Sequence, residues 1–594
     1  MKTVKYLLVF FFLAFLPIFA QDQTNPEITV EELYAHIKYL ASEECEGRKP
    51  GTDGGILASD YIKSQLKLSN LIFPYENGFQ NFDISTSVEL GEKNSFLFNE
   101  KSCTLNEDFI PLTISESGVY EFDIAFVGYG FDFQNDTMVW NDYNEIDVSG
   151  RWAIIFLGSP EYKSKNDPFQ NYSGIRKKIM VAKDHGATGV IFISGKKYNP
   201  NDELTSLSFG KKESTTGLPV IHVKREVADL ILADLRTNID ILEEEINNTM
   251  VPSSFTYEQK VKAEIDLVRV KSQARNVVAL LEGNDPMLKN EYIVIGAHYD
   301  HLGWGGEGSG SRKPDTNAIH YGADDNASGV AATIELIEKF SSKKENKRSL
   351  LFIAFDGEEM GLLGSKYFIN NSLVELDKVK FMFNLDMVGR LNPDTKGITI
   401  GGTGTAYGLE ELLKEVAKGT ELNIKFSPEG FGPSDHASFY TNNIPVLFFF
   451  TGVTLDYHTP ADSPEKINQD GHKEVTEFVY SVLLKICNTD EEIQFIEAGS
   501  NQSQDTKRSF KVTLGIMPDI AGGNIKGLKV DGITRGKPAD VAGILKGDII
   551  TAIDGKPVND IYEYMNRLSD FEPGDQITVE VLRNNEKIVL IVML

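Results

Sequence analysis

Short apolar runs recur through the middle of the chain, and amphipathic segments separate them. Polar residues barely interrupt these runs, which is typical of strands buried on both faces of a parallel sheet. The runs are residues 293–297, 351–355, 381–385 and 446–450. Between them, residues 329–340 and 407–418 carry apolar side chains at helical spacing. The pattern predicts an α/β fold with a mixed, mainly parallel sheet flanked by helices.

Side chains that bind metals follow each of these strands. They are His298 and Asp300, the pair Glu358 and Glu359, Asp386, and His458, with Asp325 in the loop 322–329 between the first two strands. Residues just beyond the carboxyl ends of parallel strands converge on one crevice. Each residue alone has an ordinary explanation as a surface pair, a helix start or a turn cap. Their joint occurrence at successive strand ends favours a metal site.

Charge counting favours two zinc ions rather than one. Three carboxylates and one bridging hydroxide balance the four positive charges of two Zn²⁺ and leave two imidazoles neutral. Oxygen and nitrogen donors without cysteine suit a catalytic zinc site. We expect Asp325 to lie between the metals. Asp300, two residues beyond His298, is expected to orient the imidazole of that histidine.

Five motifs in this order resemble the di-zinc aminopeptidase and glutamate carboxypeptidase family of zinc exopeptidases. They are residues 297–301, 324–329, 358–365, 384–389 and 457–462, with further likeness in 40–51. The resemblance implies the zinc exopeptidase fold over roughly residues 270–488. It also implies the metal ligands position by position: one zinc on His298 and Asp386, the other on Glu359 and His458, with Asp325 shared.

The resemblance further implies roles for residues that bind no metal. Glu358 is the expected general base, which takes a proton from water and delivers it to the leaving amine. Tyr457 is expected to donate to the oxyanion of the tetrahedral intermediate. The segment 434–436 is expected to line the substrate pocket. His301, His320 and His436 match no ligand position and are expected to be pocket-lining residues.

The resulting hypothesis is a zinc-dependent aminopeptidase that hydrolyses N-terminal peptide bonds. A carboxypeptidase or another amidase of the same family is an alternative. A carboxypeptidase needs a cationic group for the substrate carboxylate, and Arg390 is the only arginine close in sequence to the five metal-site segments. A non-catalytic peptide-binding protein is the third reading, because one branch of the family has lost its metals.

The length of 594 residues predicts several domains. We expect a catalytic domain over residues 21–82 and 264–489, an insert over 83–263, a polar linker over 490–509 and a small domain over 510–594. The strand-like runs and helix of the insert resemble a protease-associated domain. The last segment resembles a bacterial PDZ domain, in which Leu514-Gly515-Ile516 would hold the terminal carboxylate of a peptide added as an extra strand.

The N-terminus and the overall composition narrow the location and the partners. Lys2 and Lys5 precede an apolar run that ends at Ala20, which predicts a cleavable signal peptide, no stable membrane anchor and a periplasmic or secreted protein. The net charge of −28 argues against a nucleic-acid partner. Three cysteines are too few for a disulfide scaffold.

Overall fold

A computed structural model of the protein describes residues 26–134, 138–164, 167–207, 215–498, 512–518, 526–534, 536–559 and 561–594. The predicted signal peptide, residues 1–20, lies outside the described residues, as does part of the predicted linker. Among the described residues, no helix is both long and apolar enough to cross a membrane. Cys45, Cys103 and Cys487 are free thiols.

An eight-stranded mixed sheet forms the centre of the first unit. Its strands, in spatial order, are Phe79–Leu90, Leu267–Leu281, Ser349–Phe355, Tyr292–His298, Val379–Leu385, Val446–Phe450, Gly397–Gly401 and Asn423–Phe426. The four strands predicted from the apolar runs are adjacent and parallel to one another. The predicted mixed, mainly parallel sheet is therefore confirmed, and the four carboxyl ends lie at one edge.

Helices cover both faces of this sheet. One face packs against Val30–Leu40, Asp53–Leu68, Gly329–Lys343, Leu409–Ala417 and Gln469–Asn488, and the other against Leu363–Asn370 and His436–Tyr440. The helices predicted over 329–340 and 407–418 are confirmed. The helix Gly329–Lys343 begins at a glycine, and a Cβ atom added at that position would lie 2.3 Å from the Leu385 carbonyl oxygen. The missing side chain of Gly329 lets the metal-site loop approach the end of the neighbouring strand.

The second unit has its own eight-stranded sheet. The strands, in spatial order, are Lys101–Ser102, Ser95–Phe98, Ser254–Ile265, Gly118–Val127, Trp152–Phe156, Gly189–Ile193, Val220–Val223 and Phe109–Pro111, and a separate hairpin joins Asp132–Gln134 to Val139–Asn141. Helix Ile175–Asp184 packs on one face, and helices Arg225–Ile231 and Ile239–Thr249 pack on the other. The unit therefore has an α/β arrangement, with helices on both faces of its sheet.

A long antiparallel ribbon connects the two sheets. Phe79–Leu90 pairs with Leu267–Leu281 along its whole length, from Phe79 opposite Val277 to Leu90 opposite Leu267. The ribbon continues the catalytic sheet well past residue 82. We therefore propose that the insert comprises about residues 91–266, so that both strands of the ribbon belong to the catalytic unit.

The C-terminal unit is a small sheet with two short helices. Its strands are Ile516–Pro518, Leu528–Ile533, Ile549–Ile553, Lys556–Pro557, Gln576–Arg583 and Glu586–Met593, and its helices are Pro538–Ala542 and Ile561–Leu568. The second helix contacts the insert, where Arg567 forms a bidentate ion pair with Asp184 and Glu563 lies 3.4 Å from the Lys183 Nζ. The β-rich fold agrees with the predicted PDZ domain.

Candidate metal centre

The predicted ligands meet at the carboxyl edge of the catalytic sheet. His298 is the last residue of its strand and lies opposite Phe355, three residues before Glu358. Leu385, just before Asp386, lies opposite Phe449 on the next strand. The parallel register therefore delivers side chains from four separate segments to one buried crevice.

Asp325 lies at the centre of this crevice and faces a histidine with each of its two oxygens. Its Oδ1 is 3.3 Å from His298 Nε2, and its Oδ2 is 3.2 Å from His458 Nε2. Asp386 Oδ1 lies 3.5 Å from the same nitrogen of His298, and Glu359 Oε1 lies 3.0 Å from the same nitrogen of His458. Two donor sets thus share Asp325, one on each side.

The donor atoms fit a pair of bound metal ions. For ligands about 2.0 Å from a tetrahedral zinc, neighbouring donor atoms lie about 3.3 Å apart, and the spacings around Asp325 scatter about this value. All the donors are nitrogen or carboxylate oxygen, which suits zinc with an open coordination position. One donor set contains His298, Asp325 and Asp386, with donor atoms within 4.8 Å of one another.

His301 joins the other donor set. From sequence this histidine is expected to line the pocket, but its Nδ1 lies 3.1 Å from Glu359 Oε1 and 3.8 Å from Asp325 Oδ2. Its side chain is fully buried. A donor set of His301, Asp325 and Glu359 therefore lies beside the predicted ligand His458. Nothing in the sequence pattern indicates the direction of this ring.

The loop that carries Asp325 is fixed by its neighbours. Residues Ala323–Ser328 form a single wide helical turn. The Asp462 carboxylate accepts hydrogen bonds from the backbone N–H groups of Asp324 and Asp325 at 3.1 to 3.2 Å. The Asn326 side chain donates a hydrogen bond to the Leu385 carbonyl oxygen and accepts one from the backbone N–H of Met387. These two hydrogen bonds hold the loop against the segment that carries Asp386. Asp325 is thus held by interactions from two other motifs.

Asp300 connects the first histidine to the turn that carries the proposed base. Its carboxylate accepts the backbone N–H groups of Glu358 and Glu359 at 3.0 and 3.2 Å. His298 Nδ1 lies 3.1 Å from the Asp300 carbonyl oxygen and 3.5 Å from its carboxylate. The residue therefore contacts His298 as expected, mainly through its backbone, and it also fixes the position of the Glu358 turn.

Arg48 is a buried organising residue that the motifs do not identify. Its guanidinium donates to the carbonyl oxygens of Tyr299 at 2.7 Å, Leu40 at 2.5 Å, Tyr321 at 2.7 Å and Gly322 at 2.8 Å. Tyr299 follows His298, and Gly322 precedes the Asp325 loop. One fully buried side chain thus joins two of the loops that carry ligands.

The electrostatics of the crevice are dominated by its carboxylates. Burial raises the pKa of Glu358 well above its ordinary value, and the nearby carboxylates of Glu359, Asp435 and Asp386 raise it further against the opposing effect of His298. Burial lowers the pKa of His458, but hydrogen bonds and charge interactions with Asp325 and Glu359 outweigh it and raise that pKa to about 10. The crevice therefore attracts cations.

Tyr457 and two arginines border the crevice. The Tyr457 ring stacks on the His458 ring at a centroid distance of 3.8 Å. The Arg312 guanidinium lies 4.8 Å from the Tyr457 ring centre. Arg390, the arginine indicated by sequence, is instead paired with Asp456 at 2.9 Å. Arg312, which lies between motifs in sequence, therefore places a cation against Tyr457.

The other residues expected in the pocket are buried around the crevice. His436 stacks on Phe448 at 4.4 Å, and the Ser434 hydroxyl accepts a hydrogen bond from the Asn384 side chain. Burial raises the pKa of Asp435 to about 7, with His298 opposing the shift. His320 is bonded to the Ser311 hydroxyl and the Ala318 carbonyl oxygen and belongs to neither donor set.

Comparison with known families identifies two of the three units. Residues 276–483 match Peptidase family M28 and contain both donor sets. These residues form an M28 peptidase domain. Residues 500–594 match the PDZ domain family, which confirms the predicted PDZ domain. The M28 match covers every residue of the two donor sets and lies outside the insert.

Relatives of the M28 domain include named aminopeptidases. The chain is 26% identical to "Aminopeptidase YwaD" of Bacillus subtilis over 57% of this chain and 64% of that protein. It is 32% identical to "Probable leucine aminopeptidase" of Trichophyton verrucosum over 34% of this chain and 52% of that protein. The chain thus spans less than two thirds of either relative.

Comparison with solved structures finds partial matches with TM-scores below 0.5. The aminopeptidase from Aneurinibacillus sp. strain AM-1 is 22% identical with a TM-score of 0.46, over 82% of this chain and all of that one. The zinc aminopeptidase BSAP from Bacillus subtilis is 19% identical with a TM-score of 0.47, over 80% of this chain and 99% of that one.

Proposed function

We propose that this protein is a metal-dependent aminopeptidase that hydrolyses N-terminal peptide bonds. The observation that carries the proposal is the pair of donor sets that share Asp325, with the Glu358 carboxylate 4.0 Å from His298 Nε2. The names of YwaD and the leucine aminopeptidases support the choice of peptide N-termini among the activities open to this donor set.

Two zinc ions per chain are the proposed cofactors. His298 and Asp386 would hold one, Glu359 and His458 the other, and Asp325 both. The name "Probable zinc metalloprotease" of a Pyrenophora teres relative, 40% identical over 119 residues, supports zinc as the metal. When bound, such a pair lowers the pKa of water and neutralises charge that develops on the scissile carbonyl.

The side chains around the donor sets supply the remaining chemistry. Glu358 would accept a proton from the attacking water and pass it to the leaving amine. A carboxylate placed beside the donor sets can carry out this exchange. The Tyr457 hydroxyl would donate to the oxygen of the tetrahedral intermediate. Asp300 would keep His298 and the Glu358 turn in register.

Carboxypeptidase activity is a second candidate, favoured by one observation. Arg312 places an exposed guanidinium against the Tyr457 ring, beside the donor sets. A substrate carboxylate would find its cation there rather than at Arg390, which is paired with Asp456. An amidase without end specificity and a metal-free binding protein are the other readings.

Paired peptides discriminate these functions. Purified protein is incubated with a peptide that has a free N-terminus and with its N-acetylated form, each with and without a chelator. Cleavage of the free form alone, lost on chelation, is the expected result. Cleavage of both peptides from the C-terminus would indicate a carboxypeptidase, and cleavage of neither by metal-loaded protein would contradict catalysis.

The other units suggest where the enzyme acts and what it contacts. We propose that the protein is exported to the periplasm or secreted, on the strength of the signal-like first 20 residues. The insert, which resembles a protease-associated domain, would control access to the crevice. Strand Ile516–Pro518 is an edge strand of the PDZ sheet, and it follows directly on Leu514-Gly515. A peptide C-terminus could pair with this edge.

A further inference from the structure

We infer that His301 is a direct ligand, through Nδ1, of the metal ion held by Asp325, Glu359 and His458. The inference rests on the two-metal site proposed above and adds a donor that the family motifs do not include. It makes the two halves of the site unequal. One half has two imidazoles and two carboxylates, and the other has one imidazole and two carboxylates.

The geometry supports a shared ion. Asp325 Oδ2 lies 3.8 Å from His301 Nδ1 and 3.2 Å from His458 Nε2. Glu359 Oε1 lies 3.1 Å from His301 Nδ1 and 3.0 Å from His458 Nε2. Each of the two oxygens thus faces both imidazoles at a spacing near the edge of a zinc tetrahedron, about 3.3 Å. The donor atoms of His301, Asp325 and Glu359 lie within 4.8 Å of one another, and the His458 nitrogen faces the same two oxygens.

The His301 ring is fully buried, and besides the two carboxylates it meets the His458 ring edge-on at a centroid distance of 5.8 Å. Neither ring nitrogen makes a hydrogen bond to the residues that the structure describes, although Nδ1 lies within ion-pair distance of two carboxylates. A buried imidazole without hydrogen bonds is costly. A metal ion between Nδ1 and the carboxylates would satisfy that nitrogen, and Nε2 would then carry the ring proton.

The backbone holds the ring in this orientation. The His301 N–H donates to the Arg48 carbonyl oxygen at 3.2 Å. The ring lies against Gly322, where a Cβ atom would come within 2.6 Å of His301 Cδ2. Gly322 also adopts a positive φ of 56°, which favours glycine. The chain thus leaves room for the His301 ring next to the Asp325 loop.

An unequal pair has a consequence for metal binding. Four protein donors complete a tetrahedral shell, whereas three leave an open position. The His301 half should therefore bind its ion more tightly and fill first. Its two imidazoles should also favour Zn²⁺ or Co²⁺ over Mn²⁺ or Mg²⁺, because imidazole suits the former and carboxylate suits the latter. The open position would belong to the His298 half.

Metal binding to matched variants tests the inference. His301→Phe keeps the ring shape and removes the donor, and His301→Asn keeps a polar atom near the Nδ1 position. His320→Phe is the control, because His320 is buried in the same loop but hydrogen-bonded to Ser311 and Ala318. Zinc per chain is measured after dialysis against graded chelator, and Co²⁺ titrations are followed by visible absorption.

The expected result is a loss of affinity at one of the two sites. His301→Phe should bind the tighter ion at least about a hundredfold more weakly, since even groups that only support a ligand cost 10–100-fold. The Co²⁺ spectrum of the first equivalent should change, and His301→Asn should fall between wild type and His301→Phe. His320→Phe should match wild type. Circular dichroism establishes that each variant is folded.

Three other outcomes are possible, and each is distinct. If wild type and His301→Phe both bind two ions with equal affinity and the same Co²⁺ spectrum, the inference is wrong while the two-metal proposal stands. If wild type itself binds fewer than two ions under saturating zinc, the two-metal proposal fails first. If His301→Phe does not fold, an unchanged spectrum and affinity in His301→Asn and in a Gln variant at position 301 would overturn the inference.

Discussion

Arg48 joins the metal-bearing loops through four carbonyl oxygens, and replacing it should be costly. Arg48→Met keeps the apolar stem and removes the guanidinium. Hydrogen bonds from charged donors contribute roughly 1.5–3 kcal/mol each. Four such bonds at the lower value give about 6 kcal/mol, and relief from burying the charge offsets a part of this. We expect a loss of about 5 kcal/mol in the free energy of unfolding of the catalytic unit.

The assay separates folding from metal binding. Urea unfolding of the chelator-treated protein is followed by far-ultraviolet circular dichroism, and zinc content is measured on the untreated protein. Trp140 and Trp152 are buried in the insert and Trp304 lies in the catalytic unit, so that tryptophan fluorescence reports on both units and circular dichroism is the better probe. Arg48→Lys, which keeps the charge but not the planar fork, should recover only part of the loss.

A second arginine provides the control. Arg225 in the insert donates to the carbonyl oxygens of Ser194, Asn199 and Pro200. Arg225→Met should destabilise the insert and leave the zinc content unchanged, whereas Arg48→Met should lower both the stability of the catalytic unit and its zinc content. A loss below about 1 kcal/mol in Arg48→Met, an ordinary value for a single substitution, would refute the organising role.

Three further predictions concern the base, the shared ligand and pH. Glu358→Gln should lower kcat by about a hundredfold or more with zinc content unchanged, because it removes a proton acceptor and no ligand; activity within about tenfold of wild type would contradict that role. Asp325→Ala should lose zinc and activity together, unlike the exposed Asp394→Ala, and full two-zinc occupancy would place the bridge elsewhere. Burial lowers the pKa of His222 to about 4 from 6.5. The stability that its neutral form contributes is therefore complete above pH 6.5 and falls by up to about 3 kcal/mol as the pH drops to 4. Thermal unfolding against pH should show a shallower acid slope for His222→Gln than for wild type, and equal slopes would refute this assignment.

The core of the catalytic fold could be predicted from sequence because its signals are local. The apolar runs at 351–355 and 446–450 are long enough to identify buried strands, and they became Ser349–Phe355 and Val446–Phe450. Parallel strands must end at one edge, so residues after the runs had to converge. The spacing of apolar residues also predicted the helix at 329–340, and the structure has a helix at Gly329–Lys343.

The site residues that could not be predicted from sequence depend on contacts between segments that are distant along the chain. His301 is one residue beyond Asp300, yet only the packing of its ring against Gly322 turns Nδ1 toward Glu359. Arg48 donates hydrogen bonds to carbonyl oxygens up to 274 residues away in sequence, and backbone acceptors leave no pattern of side chains from which this could be predicted. Arg312 reaches Tyr457 from an irregular loop that has no periodicity to predict its course.

The antiparallel ribbon shows that the boundary between two units is also difficult to predict from sequence. The change of texture after residue 82 suggested a boundary, but strand pairing continues to Leu90 opposite Leu267. The pairing partners are almost two hundred residues apart in sequence, so neither strand carries a local signal of where the pairing ends. The bounds of the insert therefore remain a proposal that rests on this pairing.

Zinc-edge anomalous diffraction from crystals of the zinc-loaded protein tests the central proposal most directly. The account predicts two anomalous peaks, one among His298, Asp325 and Asp386, and one among Asp325, Glu359 and His458 with His301 Nδ1 in contact. A single peak under saturating zinc, or a peak that does not touch Asp325, would contradict the shared two-metal site.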